Sequence, residues 1–176
     1  MKCYDATAQS AFDNNFVVAS PPNAPIVVAT PQDGAVLLTW DNGPETYSQA
    51  PYEFEGYVVY QGASIAGPYT RVATYDVDNA VTKIIDQDCD SADPDIPVVK
   101  AKGTNSGLAY SIRLTQDAVR GGPLFTGTPY YYVVTAYSAA PAFVPKMLES
   151  SFNAATAKKT VVPQTRRAAR TSRRRS

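Results

Sequence analysis

The chain has no histidine among its 176 residues. That absence excludes Ser-His-Asp and Cys-His catalysis, histidine-ligated zinc and a histidine pH switch. Cysteine is nearly absent too. Cys3 and Cys89 allow at most one internal bridge, and neither stands in a C-x-x-C or metal-ligand spacing. No apolar run approaches the ~18 residues that a membrane helix needs. Met1 to Phe16 lacks the apolar core of a secretory signal, so either the protein stays inside the cell or the chain is a piece of a longer one. The phosphate-cradling patterns G-x-G-x-x-G and G-x-x-x-x-G-K-S/T do not occur. No amphipathic helix longer than two turns is evident.

Charge is balanced in total and lopsided in place. All 16 acids lie within residues 1–157 beside half of the 16 bases, while residues 158–176 hold the remaining bases and no acid. The body is therefore acidic and the end strongly basic. Arg166, Arg167, Arg170, Arg173, Arg174 and Arg175 crowd the last stretch, where nothing apolar exceeds alanine. Such a segment cannot bury enough area to offset its ordering entropy, so it is expected to be disordered. It reads either as a solvated tail or as an arm for polyanions: acidic polysaccharide, anionic lipid or nonspecific contacts with nucleic acid.

What the chain does have is short β-type runs between turn signals. Proline-rich Ser20–Pro25 reads as an extended lead-in. Ile26–Thr30, Val36–Trp40, Phe54–Tyr60 and Tyr69–Tyr75 follow, with Pro31-Gln32-Asp33-Gly34 as the first turn. Val81–Ile85 and Ile96–Lys100 flank an acidic loop, which predicts a hairpin. Leu108–Leu114 alternates, Tyr130–Tyr137 is the strongest strand signal, and Asn153–Val162 reads as the last strand. Many short strands with Gly/Pro turns predict an antiparallel sandwich or barrel.

Several of these motifs resemble the fibronectin type III family. Pro22-Asn23-Ala24-Pro25 with Ile26–Thr30 is similar to its first strand. Val36-x-Leu38-x-Trp40 is similar to its second, and Tyr57-x-Val59 to its third. Leu124-Phe125-Thr126-Gly127-Thr128-Pro129-Tyr130, followed by Tyr132, Val134 and Ala136, resembles the family's L-x-P-G-T-x-Y-x-V-x-V-x-A. Thr126 replaces the proline and Tyr132 the first valine. The resemblance implies a fibronectin type III/immunoglobulin-like β-sandwich over residues 23–162, after a linker-like 1–22 and before a basic tail, 163–176. It implies a core built on Trp40, Tyr57, Tyr130, Tyr132 and Val134. It also implies a tyrosine corner, in which the Tyr130 hydroxyl bonds upstream backbone. The region exceeds the ~100 residues of such a sandwich, so an insertion is expected at about 76–106. The strings Gly107–Ser111, Gly127–Tyr137 and Leu148–Ser151 are similar to a variant near the ends of bacterial secreted or surface proteins. That likeness implies an extracellular or cell-surface module of a longer chain.

Candidate chemistry is sparse. Asp86, Asp88, Asp90 and Asp93 lie in an acidic run that could offer oxygens to Ca²⁺, the one cofactor the residues suggest. The EF-hand pattern fails there, with Ser91 at the glycine position and Pro97 at the bidentate glutamate. A solvated loop is the simpler reading. Glu53 and Glu55, two apart, read as a solvated strand face. No second acid set stands across a cleft for glycoside hydrolysis, and no catalytic residue is assigned.

The aromatic pattern says more. In Tyr130–Tyr137 and Phe54–Tyr60 the outward residues Tyr60, Tyr131 and Tyr137 are apolar, as are the inward ones. A half-exposed antiparallel sheet should alternate instead, so something must cover that face. Three covers are open: the insertion or the Phe12–Val18 segment, a neighbouring domain or protein, or a carbohydrate stacked on the three rings. The expected role is a non-catalytic structural or interaction module, with calcium- or carbohydrate-binding adhesion and polyanion binding as alternatives.

Overall fold

The structure is a computed structural model, describing residues 2–13, 16, 19–86, 96–103, 105 and 107–165. Helix α1 (Lys2–Asp13) precedes strands β1 (Val27–Gln32), β2 (Ala35–Trp40), β3 (Ser48–Gln49), β4 (Tyr52–Gly62) and β5 (Tyr69–Asp76). Then come β6 (Lys83–Asp86), β7 (Val98–Lys102), β8 (Ser111–Leu114), β9 (Tyr130–Ala139), β10 (Met147–Glu149) and β11 (Lys158–Val161). One sheet runs β1-β2-β8. The other centres on β4 and β9, with β3 and β5 against β4, and β10 and β11 against β9. All strand pairs are antiparallel. The all-β sandwich expected from the residue pattern is the fold.

Alternation decides which side chains meet between the sheets. Val36, Leu38 and Trp40 from β2 and Leu114 from β8 face Tyr57, Val59, Tyr130, Tyr132 and Val134 across one buried cluster. Trp40 packs against Tyr57 and Tyr75 with ring centroids 6.0 and 5.8 Å away. The turn into β2 is made at Gly34, whose φ of +58° suits a residue without Cβ. The hydroxyl of Tyr130 accepts the Phe125 N–H at 2.9 Å, which is the upstream bond expected of it.

Some boundaries differ from the pattern. Leu108–Tyr110 stays irregular, and the Tyr110 carbonyl receives the Trp40 N–H beyond the end of β8. The last strand, expected over Asn153–Val162, is confined to β11, and β10 is a further strand that the pattern did not give. β10 pairs with the end of β9, the chain loops out over residues 150–157, and β11 resumes the pairing. That excursion carries Phe152 onto Tyr60 and Tyr69, at 4.8 and 5.3 Å. The N-terminal stretch, expected without a helix, forms α1. Ala6, Ala8 and Ala11 favour helix without supplying an apolar stripe, and Gln9 bonds Asp13 one turn on.

The inserted hairpin, β6 with β7, covers the outward face of β4 and β9. Ile84 and Ala101 close over Val58, Tyr60, Tyr137 and Ala139 as a second buried cluster. Of the other internal cover considered, Phe12–Val18, the described aromatic residues do not pack on this face. Phe12 and Phe16 pack edge to face on each other and remain 62% and 70% exposed; Val17 and Val18 lie outside the described residues.

Candidate functional site

The hairpin seals more than apolar side chains. β4 slips register against β9 between Phe54 and Gly56, a β-bulge beside a glycine that leaves no room for a Cβ. The slip carries Glu55 to the side of Tyr137, so the expected solvated position is overturned: Glu55 is 4% exposed. Asp76 ends β5 fully buried. Asn79 lies just before the hairpin and Asn105 just after it, so the two amides bracket the hairpin's root.

These four residues form one connected network. Asn79 Nδ2 donates to Glu55 Oε2 at 3.0 Å. The Asn105 N–H donates to the Asp76 carboxylate, 3.1 Å from Oδ1, and Asn105 Nδ2 donates to the Asn79 carbonyl. The Asp76 carboxylate lies where a Cβ on Gly103 would overlap it, so only glycine fits at the foot of β7. Two acceptors in the network, Glu55 Oε1 and Asn105 Oδ1, are buried and have no hydrogen-bond partner. Loss of solvent pushes the Glu55 carboxyl up to about 7, the Asn79 bond opposes that, and the charge of Asp76 adds to it.

A second polar group sits further along the same face. Tyr60 Oη donates to Glu149 Oε1 at 2.8 Å, and Thr135 Oγ1 bonds the same oxygen. Burial, then the charge of Glu149, holds the Tyr60 hydroxyl well above the ordinary phenol range. Burial, then Glu55 and Asp76, does the same for Tyr137.

Two of the three outward tyrosines are therefore not presented to solvent. Tyr60 and Tyr137 are 7% and 1% exposed, packed under the hairpin and Phe152, and Tyr131 is half-buried. For Tyr60 and Tyr137 this corrects the reading as a stacking surface: an internal cover occupies the place a sugar ring would need. Of the acidic run, Asp86 alone is described. It is buried at the end of β6 and accepts the Lys146 N–H; Asp88, Asp90, Asp93 and Cys89 lie outside the described residues, as do the six tail arginines. Among the described residues no three His, Cys, Asp or Glu side chains gather to hold a metal, and no helix is long and apolar enough to cross a membrane.

An open groove of about 430 Å³ lies elsewhere, between Glu45, Glu53, Phe54 and Leu108. Glu45 is held there by the Tyr57 hydroxyl at 3.0 Å. Of the residues weighed for chemistry in the sequence, the groove is lined by Glu53 alone. Glu55, Asp76, Asn79 and Asn105 were not singled out together either, and the available signals were weak: a glycine inside a strand at 56, and an asparagine on each flank of the insertion.

Comparison of the chain with protein-family models, curated proteins and solved structures finds no match.

Proposed function

We propose that the chain is a non-catalytic structural module of fibronectin type III-like design, carried by a bacterial extracellular or cell-surface protein, that spaces its neighbours and offers its loops and hairpin to a protein partner. The observation that carries the reading is the path of the chain through the sandwich. β1 and β11 lie side by side in the same direction. The Val27 N–H bonds the Thr156 carbonyl at one end, and the Gln164 N–H bonds the Gln32 carbonyl at the other. The sandwich is thus entered at one end and left at the opposite end. Modules linked in series use that geometry, because a pull on the two ends shears the two hydrogen-bonded segments past each other instead of unzipping them. The strand order, the indole of Trp40 in the core and the bond to the Tyr130 hydroxyl support the family likeness. The enclosure of Glu55 and Asp76, together with a chain that has no histidine, supports a passive role.

Force spectroscopy on the full chain held between two marker domains tests this. The expected record is one discrete, high-force unfolding event. Val27→Pro removes the N–H that joins β1 to Thr156 and should lower that force. Gradual extension at low force, unchanged by Val27→Pro, overturns the load-bearing role.

A further inference from the structure

Two acceptors of the polar network at the root of the hairpin stand without a donor. Glu55 is nine-tenths buried or more, and its Oε1 has no hydrogen-bond partner. Asn105 Oδ1, on the other flank of the hairpin, is buried without a partner as well. The amide donors of Asn79 and Asn105 are already engaged, with Glu55 Oε2 and the Asn79 carbonyl. A buried acceptor without a donor costs about 1–3 kcal/mol, more when it is charged, and two buried carboxylates within electrostatic reach repel each other. A single ligand relieves both problems at once: a positive charge that binds oxygen. All the groups offered are hard oxygen donors, two carboxylates and a side-chain amide, with no sulfur and no imidazole. Those are the preferences of Ca²⁺ rather than of Mg²⁺ or a transition metal.

We propose that Glu55, Asp76 and Asn105 form a Ca²⁺ site that rivets the root of the inserted hairpin to the central sheet. Glu55 Oε1, the Asp76 carboxylate and Asn105 Oδ1 supply the ligands, and Asn79 steers Glu55. The site is distinct from the acidic run after Asp86. It joins three separate parts of the chain: the bulge in β4, the end of β5 and the segment after β7. Bound Ca²⁺ therefore ties the insertion down and stiffens the lid over Tyr60 and Tyr137.

The test uses the full chain, stripped with a chelator and then titrated with CaCl₂. Three variants accompany it: Glu55→Gln, Asn105→Gly and the double loop variant Asp88→Asn/Asp90→Asn. Asn105→Gly suits a backbone φ of +49° while removing the orphan oxygen. Thermal melting and tryptic cleavage at Lys83, Lys100 and Lys102 are read with and without Ca²⁺. A ligand of the native state must raise the melting temperature, here by about 5 °C or more at a hundredfold excess over Kd. The expected result is that rise, with slower cleavage of the hairpin, in the unmodified chain and the loop variant, and neither effect in Glu55→Gln or Asn105→Gly. The folded state of each variant is checked by its own melt in chelator. No response of the unmodified chain at millimolar Ca²⁺ overturns the proposal. So does a response that survives Glu55→Gln, or one that disappears in the loop variant.

Discussion

Strands β4 and β9 are buried on both sides, by two different chemistries. On the inner side Tyr57, Val59, Tyr130, Tyr132 and Val134 meet the β2 side chains in an almost wholly apolar layer. On the outer side Val58 and Tyr137 share their space with Glu55, Asp76, Thr135 and Glu149 beneath a short hairpin. The inner layer is held by area removed from water and by close fit. The outer layer also depends on every polar group finding a partner, because an unmet one in a dry site is costly. The inner layer should therefore fail globally when its volume is changed. The outer layer should fail locally, and with pH.

Trp40→Ala is the largest predicted effect. The indole is 5% exposed and joins both sheets, and removing a buried tryptophan costs about 3–5 kcal/mol. The midpoint of global denaturant unfolding should fall accordingly. Ile84→Ala empties a similar place in the outer layer, where isoleucine to alanine costs about 2–5 kcal/mol. That loss should appear mainly as opening of the hairpin. Faster tryptic cleavage at Lys83, Lys100 and Lys102, with little change in the global midpoint, is the expected outcome. A global midpoint that falls as far as in Trp40→Ala would join the two layers into one cooperative unit.

The inner layer was legible in the sequence and the outer one only half so. Trp40, Tyr57, Tyr130 and Val134 fall on a period of two around turn residues, and the likeness to the fibronectin type III pattern, not the alternation, chose which face turns inward. The need for a cover followed from the same arithmetic, because Val58, Tyr60, Val133 and Tyr137 are too apolar for a wet face. Glu55 escaped because its side of the strand is set by a bulge, and one extra residue inverts the alternation on which the reading rests. Asp76 and Asn105 lie 29 residues apart in the chain, and a contact at that separation is fixed by the docking of the hairpin. α1 escaped because it has helix-forming residues but no apolar stripe, and periodicity sees only the stripe.

The acidity of Glu55 separates the layers further. Its carboxyl is raised from 4.5 to about 7 in the folded chain, by burial first. The folded state then holds the proton more tightly than the unfolded one. The contribution to stability is full below pH 4.5 and is lost as pH rises through about 7. A shift of that size corresponds to up to about 3 kcal/mol in the linkage relation. In chelated buffer, hydrogen exchange of the hairpin amides should therefore show weaker protection at pH 8 than at pH 5, after correction for intrinsic exchange rates. Glu55→Gln should flatten that difference. An equal pH response in Glu55→Gln would place the titrating group elsewhere.

The smallest effect gives the finest contrast, because the same oxygen atom is removed from two neighbouring inward tyrosines. Tyr130 Oη accepts the Phe125 N–H. Tyr130→Phe therefore strands a donor and should cost about 1 kcal/mol or somewhat more. Tyr132 Oη is buried with no partner, in a side chain the family pattern gives as valine. Tyr132→Phe removes an unmet polar atom without changing the ring, so it should be neutral or slightly stabilising, within about 0.5 kcal/mol of the unmodified chain or above it. Urea unfolding of the two variants side by side reads the difference directly. If Tyr132→Phe costs as much as Tyr130→Phe, its hydroxyl is satisfied by a buried water. The inner layer would then be held partly by polar satisfaction, as the outer one is, and the distinction between the two sides of the sheet would narrow to one of degree.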